Sequence, residues 1–307
     1  MGRVPAARPS VRVRAPAKVN LHLGVGPLRP DGYHELVNLF HAVDLVDEII
    51  ASPGDGLRVT VSGEGAADVP VDRRNLVWRA AELLADTADV PADARLDIHK
   101  AIPVAGGMAG GSADGAAALL ACARLWNLDV GAAELAQLAA RLGSDSNFAL
   151  VGGTALGTGR GEVVAAVACV ARLQWVFAIA DHGVSAGAAY AELDRLRAAG
   201  MAPPPAGSVD ALLAALAAGD LPRIAAGLVN DLQPATLSLA PALADTLKSG
   251  AAHGALAGLV SGSGPTCAFL CADAGAATLL AAGLEADGVC RTARVASGPA
   301  PGARVVG

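Results

Sequence analysis

Aromatic side chains are scarce in this 307-residue chain, at 3%, and charged ones make up only 17%. Acidic residues outnumber basic ones 29 to 23, a net charge of −6. A nucleic-acid binder needs a basic face and aromatic stacking platforms, and the composition supplies neither. Runs of 18 apolar residues free of charge and glycine are missing, which argues against a transmembrane helix. The first ten residues, Met1 to Ser10, hold arginine and proline but no apolar core of a secretory signal, and are expected to fray. The five cysteines (Cys122, Cys169, Cys267, Cys271 and Cys290) are odd in number and show no CxxC or Cys/His ligand spacing. No metal site or disulfide framework is expected from them; reduced, buried thiols in a cytoplasmic protein are. Lysine is nearly absent too, with only Lys18, Lys100 and Lys248. A Gly-Lys pair and a GxGxxG run are both missing, so neither a Walker loop nor a dinucleotide fingerprint is present.

What the chain does hold is apolar residues, 53% of it, enough at this length for one large domain or two ordinary ones. Alternation predicts strands at Val11–Ala15, Val19–Val25, Leu36–Val43, Asp47–Ala51, Leu57–Ser62 and Arg95–His99, with Arg29–Tyr33 as a turn. Asn75 reads as the cap of a helix, and a glycine-rich turn at Gly106–Gly111 opens an alanine-leucine helix to about Trp126. Another helix covers Ala132–Leu142. Later come strands at Trp175–Ala180, Ala255–Val260, Thr266–Cys271 and Val289–Val295, with helices at Ala188–Ala198, Val209–Ala218 and Ala274–Ala286. The second half suggests a separate α+β layer, so two domains are expected, 1–165 and 166–307.

Five segments could carry chemistry. Lys18 lies between two strand-like runs, where it reads equally as a surface lysine and as a placed ammonium. The stretch Pro103-Val-Ala-Gly-Gly-Met-Ala-Gly-Gly-Ser-Ala-Asp114 follows a strand and opens a helix, so free backbone N–H groups and a positive dipole end make an anion site there. Ser112 adds a hydroxyl for a phosphate or a magnesium ion. Asp145, in Gly143-Ser-Asp-Ser-Asn147, is either a turn former after a helix or a carboxylate beside that loop; spacing does not choose. Val260-Ser-Gly-Ser-Gly-Pro-Thr266 is a turn between two strands, a tight hairpin or a ligand contact. Gly183-Val-Ser-Ala-Gly187 matches the GxSxG elbow, with Asp231 or Asp245 and His253 in hydrolase order, yet it explains none of the other clusters.

Taken together these segments resemble the GHMP small-molecule kinase superfamily and, within it, the kinases acting on 4-diphosphocytidyl-2-C-methyl-D-erythritol. The markers are Pro16-Ala-Lys-Val-Asn-Leu-His-Leu23, Arg29-Pro-Asp-Gly-Tyr-His-Glu-Leu36, the glycine loop, Leu142-Gly-Ser-Asp145, Gly152–Glu162, Asn230-Asp-Leu-Gln233 and Ser261–Thr266. The resemblance implies an α+β, two-domain GHMP kinase fold. Its amino-terminal domain would be like the second domain of ribosomal protein S5, its carboxy-terminal domain ferredoxin-like. It implies that ATP, with Mg2+, phosphorylates the 2-hydroxyl of the diphosphocytidyl alcohol in the non-mevalonate isoprenoid pathway. Lys18 and Asp145 match the catalytic positions. Pro103, Val104, Ala105, Gly106, Gly107, Met108, Ala109, Gly110, Gly111, Ser112 and Ala113 match the ATP phosphate loop. Asn20, Tyr33 and His34 match acceptor contacts, with Ser261, Gly262, Ser263 and Gly264 as further ones. The expected partners are small molecules, with neither nucleic acid nor membrane, for a cytoplasmic monomer or homodimer with no protein-held metal. Met108, Ala109 and Ala113 stand where the broad pattern favours leucine, glycine and serine, and Ser146-Asn147 replaces a common Val-Pro. The rival readings are another kinase of the superfamily (sugar, homoserine or mevalonate type), a serine hydrolase at Ser185, and a nucleotide binder without catalysis.

Overall fold

The computed structural model describes residues 9–181 and 183–306. Residues 1–8 of the segment expected to fray lie outside them.

Strands β1 (Val11–Leu28) and β2 (His34–Pro53) form one long antiparallel ribbon turned at Arg29–Tyr33, where Gly32 takes φ +81°. Sequence alternation splits each strand in two, because register shifts at Pro16/Ala17 and Asn20/His22 break the period while the pairing continues. There follow β3 (Leu57–Gly63), α1 (Leu76–Ala88), β4 (Ala94–Lys100), α2 (Gly110–Leu125), α3 (Ala132–Leu142), α4 (Ser144–Val151), β5 (Thr154–Thr158) and β6 (Val163–Ala166). Asn75 caps α1 as expected, its side chain accepting from Val77 N–H at 2.8 Å. The second half adds β7 (Leu173–Ile179), α5 (Ala186–Ala198), α6 (Asp210–Ala218), α7 (Leu221–Ala226), β8 (Val229–Asn230), α8 (Gln233–Leu239), α9 (Leu243–Ala252), β9 (Ala257–Val260), β10 (Cys267–Cys271), α10 (Ala274–Ala286), β11 (Thr292–Gly298) and β12 (Arg304–Val306).

One sheet runs β12-β1-β2-β4-β3, with β5 and β6 continuing from β2 and β8 beside β1. The other is antiparallel, in the order β11-β7-β10-β9, which is fourth, first, third, second and hence ferredoxin-like. Residue 165 lies in β6, at the end of the first half's strands; β12 returns from the chain's end to pair with Arg12–Arg14. Helix α2 is alanine-rich on every side because it is enclosed: Ala113, Ala116, Ala117, Ala118 and Ala121 are all buried between sheet and neighbouring helices.

Beneath the start of α2, Lys100 of β4 bonds Asp47 of β2 and, at 2.7 Å, Asp114 of α2, all three buried. Burial, then the negative charge of Asp47, push the Asp114 carboxyl well above the usual range. Lys100→Met would leave two carboxyls with no counter-charge. A loss of roughly 3–5 kcal/mol in chemical denaturation is expected, and an unchanged midpoint would deny the cluster this role.

His41 on β2 is fully buried, shares a 2.8 Å hydrogen bond with Thr154 Oγ1, and is pushed down to about 3 by burial. The unfolded chain protonates near 6.5 while the folded chain resists until about 3. Stability is therefore complete above the unfolded value and drains as pH falls between the two. Between pH ~6.5 and ~5, where carboxylates contribute little, the slope should approach about 1.4 kcal/mol per pH unit beyond that of His41→Gln. Equal slopes in the two proteins would contradict this.

Candidate functional site

The glycine loop takes the shape its residues suggest. Gly107 has φ +71°, and Ala105 and Ala109 are also left-handed, at φ +54° and +58°. That conformation explains why glycine suits position 109, and alanine there holds strain on the order of 1–2 kcal/mol. Ala109 is the residue before α2 and offers no side-chain cap, so the first N–H groups of the helix stay free to face an anion. They open on a hollow of about 360 Å³ lined by loop residues from Pro103 to Ser112 and by Pro70, Arg74 and Asn75.

Lys18 is 5% exposed and lies against the loop at Gly107, outside the lining of that hollow. Its Nζ donates to Asn20 Oδ1 at 2.7 Å and to the Gly107 carbonyl at 3.0 Å, and lies 3.8 Å from Asp145 Oδ2. Burial pushes the ammonium below the ordinary lysine value, and the Asp145 carboxylate opposes that. Asp145 is not in a turn: it lies in the first turn of α4, which begins directly after Gly143. Asn147, standing where the broad pattern has proline, ties α4 to the β5–β6 hairpin by donating to Glu162 O at 3.0 Å. The Asn20 amide is buried and already engaged, with Nδ2 donating to Asn38 Oδ1 at 2.6 Å.

The Ser261–Thr266 turn does join a hairpin, β9 to β10, and it also packs on the loop. Ser261 Oγ donates to Gly107 O at 3.2 Å, and Gly262, at φ +57°, stands so close that a Cβ there would lie 3.2 Å from Lys18 Nζ. Asn230 holds the turn from behind, its Nδ2 donating to both Val260 O and Gly262 O at 2.7 Å, while Thr236 Oγ1 donates to Ser263 O at 3.1 Å. This gives the Asn230–Gln233 segment a supporting place that its sequence does not reveal. Gly264, at φ +78°, faces Thr236 and Val260.

A larger cleft of about 780 Å³ runs from Tyr33 and His34 to Gly143 and Ser144, next to Asp145. Tyr33 is 54% exposed, with the Arg160 guanidinium 4.7 Å above one ring face. His34 is buried: Nδ1–H donates to Gly26 O at 2.9 Å, Nε2 lies 3.3 Å from Asp194 Oδ2, and the ring stacks on Tyr190 at 5.3 Å. Burial raises the Tyr190 hydroxyl to about 12, with Asp145 adding to the effect. Tyr190, Asp194, Arg79 and Arg141 escape sequence reasoning, since they meet only through the packing of α1, α3 and α5. For Lys100 the scarcity of lysine was the available signal.

Ser185 caps α5, its Oγ accepting from Ala188 N–H at 3.1 Å. His253 is bonded instead to Asp287 at 3.0 Å. The GxSxG match is a helix cap, and the hydrolase reading is not favoured.

An ammonium and a carboxylate side by side at the start of an anion-binding helix suit transfer of a charged group to an alcohol. Comparison with known proteins agrees. The pattern for the GHMP kinases N terminal domain matches residues 75–154, and that for GHMP kinases C terminal matches residues 212–290. The 4-diphosphocytidyl-2-C-methyl-D-erythritol kinase of Salinispora tropica is 59% identical over 296 residues, which is 96% of this chain and 94% of that one. Its counterpart in Mycobacterium tuberculosis is 57% identical over 297 residues, 97% and 93% of the two chains. A crystal structure of 4-(cytidine 5'-diphospho)-2C-methyl-D-erythritol kinase superposes with a TM-score of 0.76 at 32% identity, over 93% of this chain and 98% of that chain. A homoserine kinase from Cytophaga hutchinsonii also reaches 0.76, at 21% identity over 100% of both chains, which speaks for the shared fold alone. The chain thus belongs to the GHMP kinases and, within them, to the 4-diphosphocytidyl-2-C-methyl-D-erythritol kinases.

Proposed function

We infer that the chain moves the γ-phosphoryl group of ATP onto the 2-hydroxyl of 4-diphosphocytidyl-2-C-methyl-D-erythritol, a step of the non-mevalonate isoprenoid pathway. The observation that carries this reading is the Lys18–Asp145 pair, 3.8 Å apart, where the glycine loop meets the cleft beside Tyr33. In a phosphoryl transfer the protein acts mainly by positioning and by stabilising charge. Asp145 accepts the proton of the attacking hydroxyl. Lys18 orients that carboxylate and offsets charge growing on the transferred group. The free N–H groups from Gly110 onward hold the triphosphate, with Pro103–Ala113 around it. Asn20 stands beside Lys18 toward the reacting end of the acceptor, Tyr33 and His34 take the cytidine end, and Ser261–Gly264 close the side next to Lys18.

Mg2+ would enter with the nucleotide and neutralise phosphate charge. The donor at the loop, the Ser112 hydroxyl, is a hard oxygen of the kind this cation prefers. We read residues 1–165 as the ATP-binding domain and 166–307 as a second domain that supplies Tyr190 and the Ser261–Gly264 turn. No helix among the described residues is long and apolar enough to cross a membrane. The cysteines of the chain are all free, which supports a cytoplasmic setting.

The direct test is phosphate transfer from ATP to a panel of alcohols, including sugars, homoserine and mevalonate, with product identified by mass. Turnover of one of these in preference to the diphosphocytidyl alcohol would overturn the reading. Asp145→Asn should lower kcat roughly 10²–10⁴-fold and leave affinity for an ATP analogue nearly intact. A matching loss of nucleotide binding would make Asp145 a structural or metal-holding group.

Tyr33, with one ring face open, should stack on the cytosine. A stacked base contributes about 1–3 kcal/mol, so Tyr33→Ala should weaken acceptor binding roughly tenfold to a hundredfold, with Tyr33→Phe mild and ATP affinity unmoved. If CDP binds Tyr33→Ala as tightly as the parent, the stacking assignment is wrong.

A further inference from the structure

The cleft beside Tyr33 is rich in guanidinium. Arg79 of α1, Arg141 in the last turn of α3 and Arg160 of the β5–β6 turn line it, against a single carboxylate, Asp194. Many surface arginines of this acidic chain sit in ion pairs, such as Arg73 with Glu82 and Arg195 with Glu192. Arg160 covers Tyr33 and reaches Glu162. Arg79 and Arg141 differ: among the described residues neither guanidinium has an ion-pair or hydrogen-bond partner, and both side chains are exposed. Two unneutralised guanidiniums facing one hollow make a positive spot on a protein of net charge −6. Their planar forks match pairs of phosphate oxygens.

Their place in the cleft indicates which phosphates. The donor's triphosphate has its own cradle in the glycine-loop hollow, whose lining includes neither arginine. The hollow that holds them runs from the open ring of Tyr33 to Ser144, next to Asp145. A nucleoside diphosphate alcohol laid along it, base at Tyr33 and hydroxyl at Asp145, must carry its diphosphate between those ends. We propose that Arg79 and Arg141 clamp the diphosphate of the acceptor, an assignment that rests on the acceptor reading above. Both are binding residues for the acceptor alone. They give the cleft a reason to favour a nucleotide-linked alcohol over an uncharged one, because a small neutral alcohol would leave both guanidiniums unpaired.

The test is calorimetric titration of CDP, cytidine and a non-hydrolysable ATP analogue into the parent protein, Arg79→Gln, Arg141→Gln, the double variant and Arg141→Lys. The parent should bind CDP more tightly than cytidine. Each glutamine variant should lose roughly tenfold in CDP affinity, as expected for a charge-assisted contact, while cytidine and the ATP analogue are unchanged. Arg141→Lys should recover part of the loss as a point charge, and added salt should weaken CDP binding less in the double variant than in the parent. Because both side chains are exposed, melting temperatures should stay level, and cytidine binding reports on the cleft independently. A CDP advantage over cytidine that survives in the double variant would overturn the clamp, as would weakened ATP-analogue binding with CDP untouched, which would move the arginines to the donor side. A parent protein that binds neither CDP nor cytidine would instead sink the acceptor reading on which the clamp rests.

Discussion

The carbonyl oxygen of Gly107 holds the site together. It accepts from Lys18 Nζ and from Ser261 Oγ, so β1, the glycine loop and the β9–β10 turn meet at one atom. The meeting depends on glycine: position 107 is left-handed, and a Cβ there would run into the Ser261 carbonyl. Asn230 fixes the turn from the far side, and the Lys18 N–H donates to Met108 O at 3.2 Å, pinning the loop a second time. The free N–H groups of α2 are thereby aimed relative to Lys18 rather than merely near it. A change in any of the three segments would be felt by the other two.

The two buried lysines show how the fold separates chemistry from support. Lys100 is held between two carboxyl groups, those of Asp47 and Asp114, and serves to tie α2 to β2 and β4. Lys18 instead leans on two neutral acceptors, Asn20 Oδ1 and Gly107 O, with its carboxylate held off at 3.8 Å. A buried ammonium kept in that way costs several kcal/mol. It leaves charge uncompensated for an incoming anion, and that contrast, more than burial alone, supports the proposed role of Lys18.

Much of this architecture was legible in the sequence where one period ruled a segment. Helices α3 and α10 have the bounds their apolar spacing predicts, and the Asn75 cap and the Arg29–Tyr33 turn follow from local chemistry. Bulges hid the continuity of β1 and β2. Helix α4 was hidden because Gly143-Ser-Asp-Ser-Asn147 has the composition of a turn, yet its backbone enters a helix directly after Gly143. The strand β12 is three residues long and is specified by its partner β1 rather than by a pattern of its own. At the site, the tight glycine loop and the helix it opens follow from its composition. The pairing of Lys18 with Asp145 did not follow from spacing; only the resemblance to a kinase family brought those residues together beforehand. Arg79, Arg141 and Tyr190 come from three separate helices, and convergence of that kind leaves no trace in local sequence.

The seam between the two hollows limits how the reaction can run. Ser112, in the first turn of α2, and Gly143, just before α4, stand face to face: a Cβ at 143 would lie 3.9 Å from Ser112 Oγ. Two helix starts therefore converge there, each with free N–H groups and a positive dipole end, next to the ammonium of Lys18. Two anionic substrates brought together at such a seam would otherwise repel each other. In a loose transfer the attacking oxygen forms little bond at the transition state, and charge spreads over the phosphoryl oxygens. The demand is then for fixed positive potential and alignment more than for a strong base. A single carboxylate, set by α4 and held at ammonium distance from Lys18, would meet that demand under the proposed transfer, receiving the proton as the hydroxyl commits to the phosphorus.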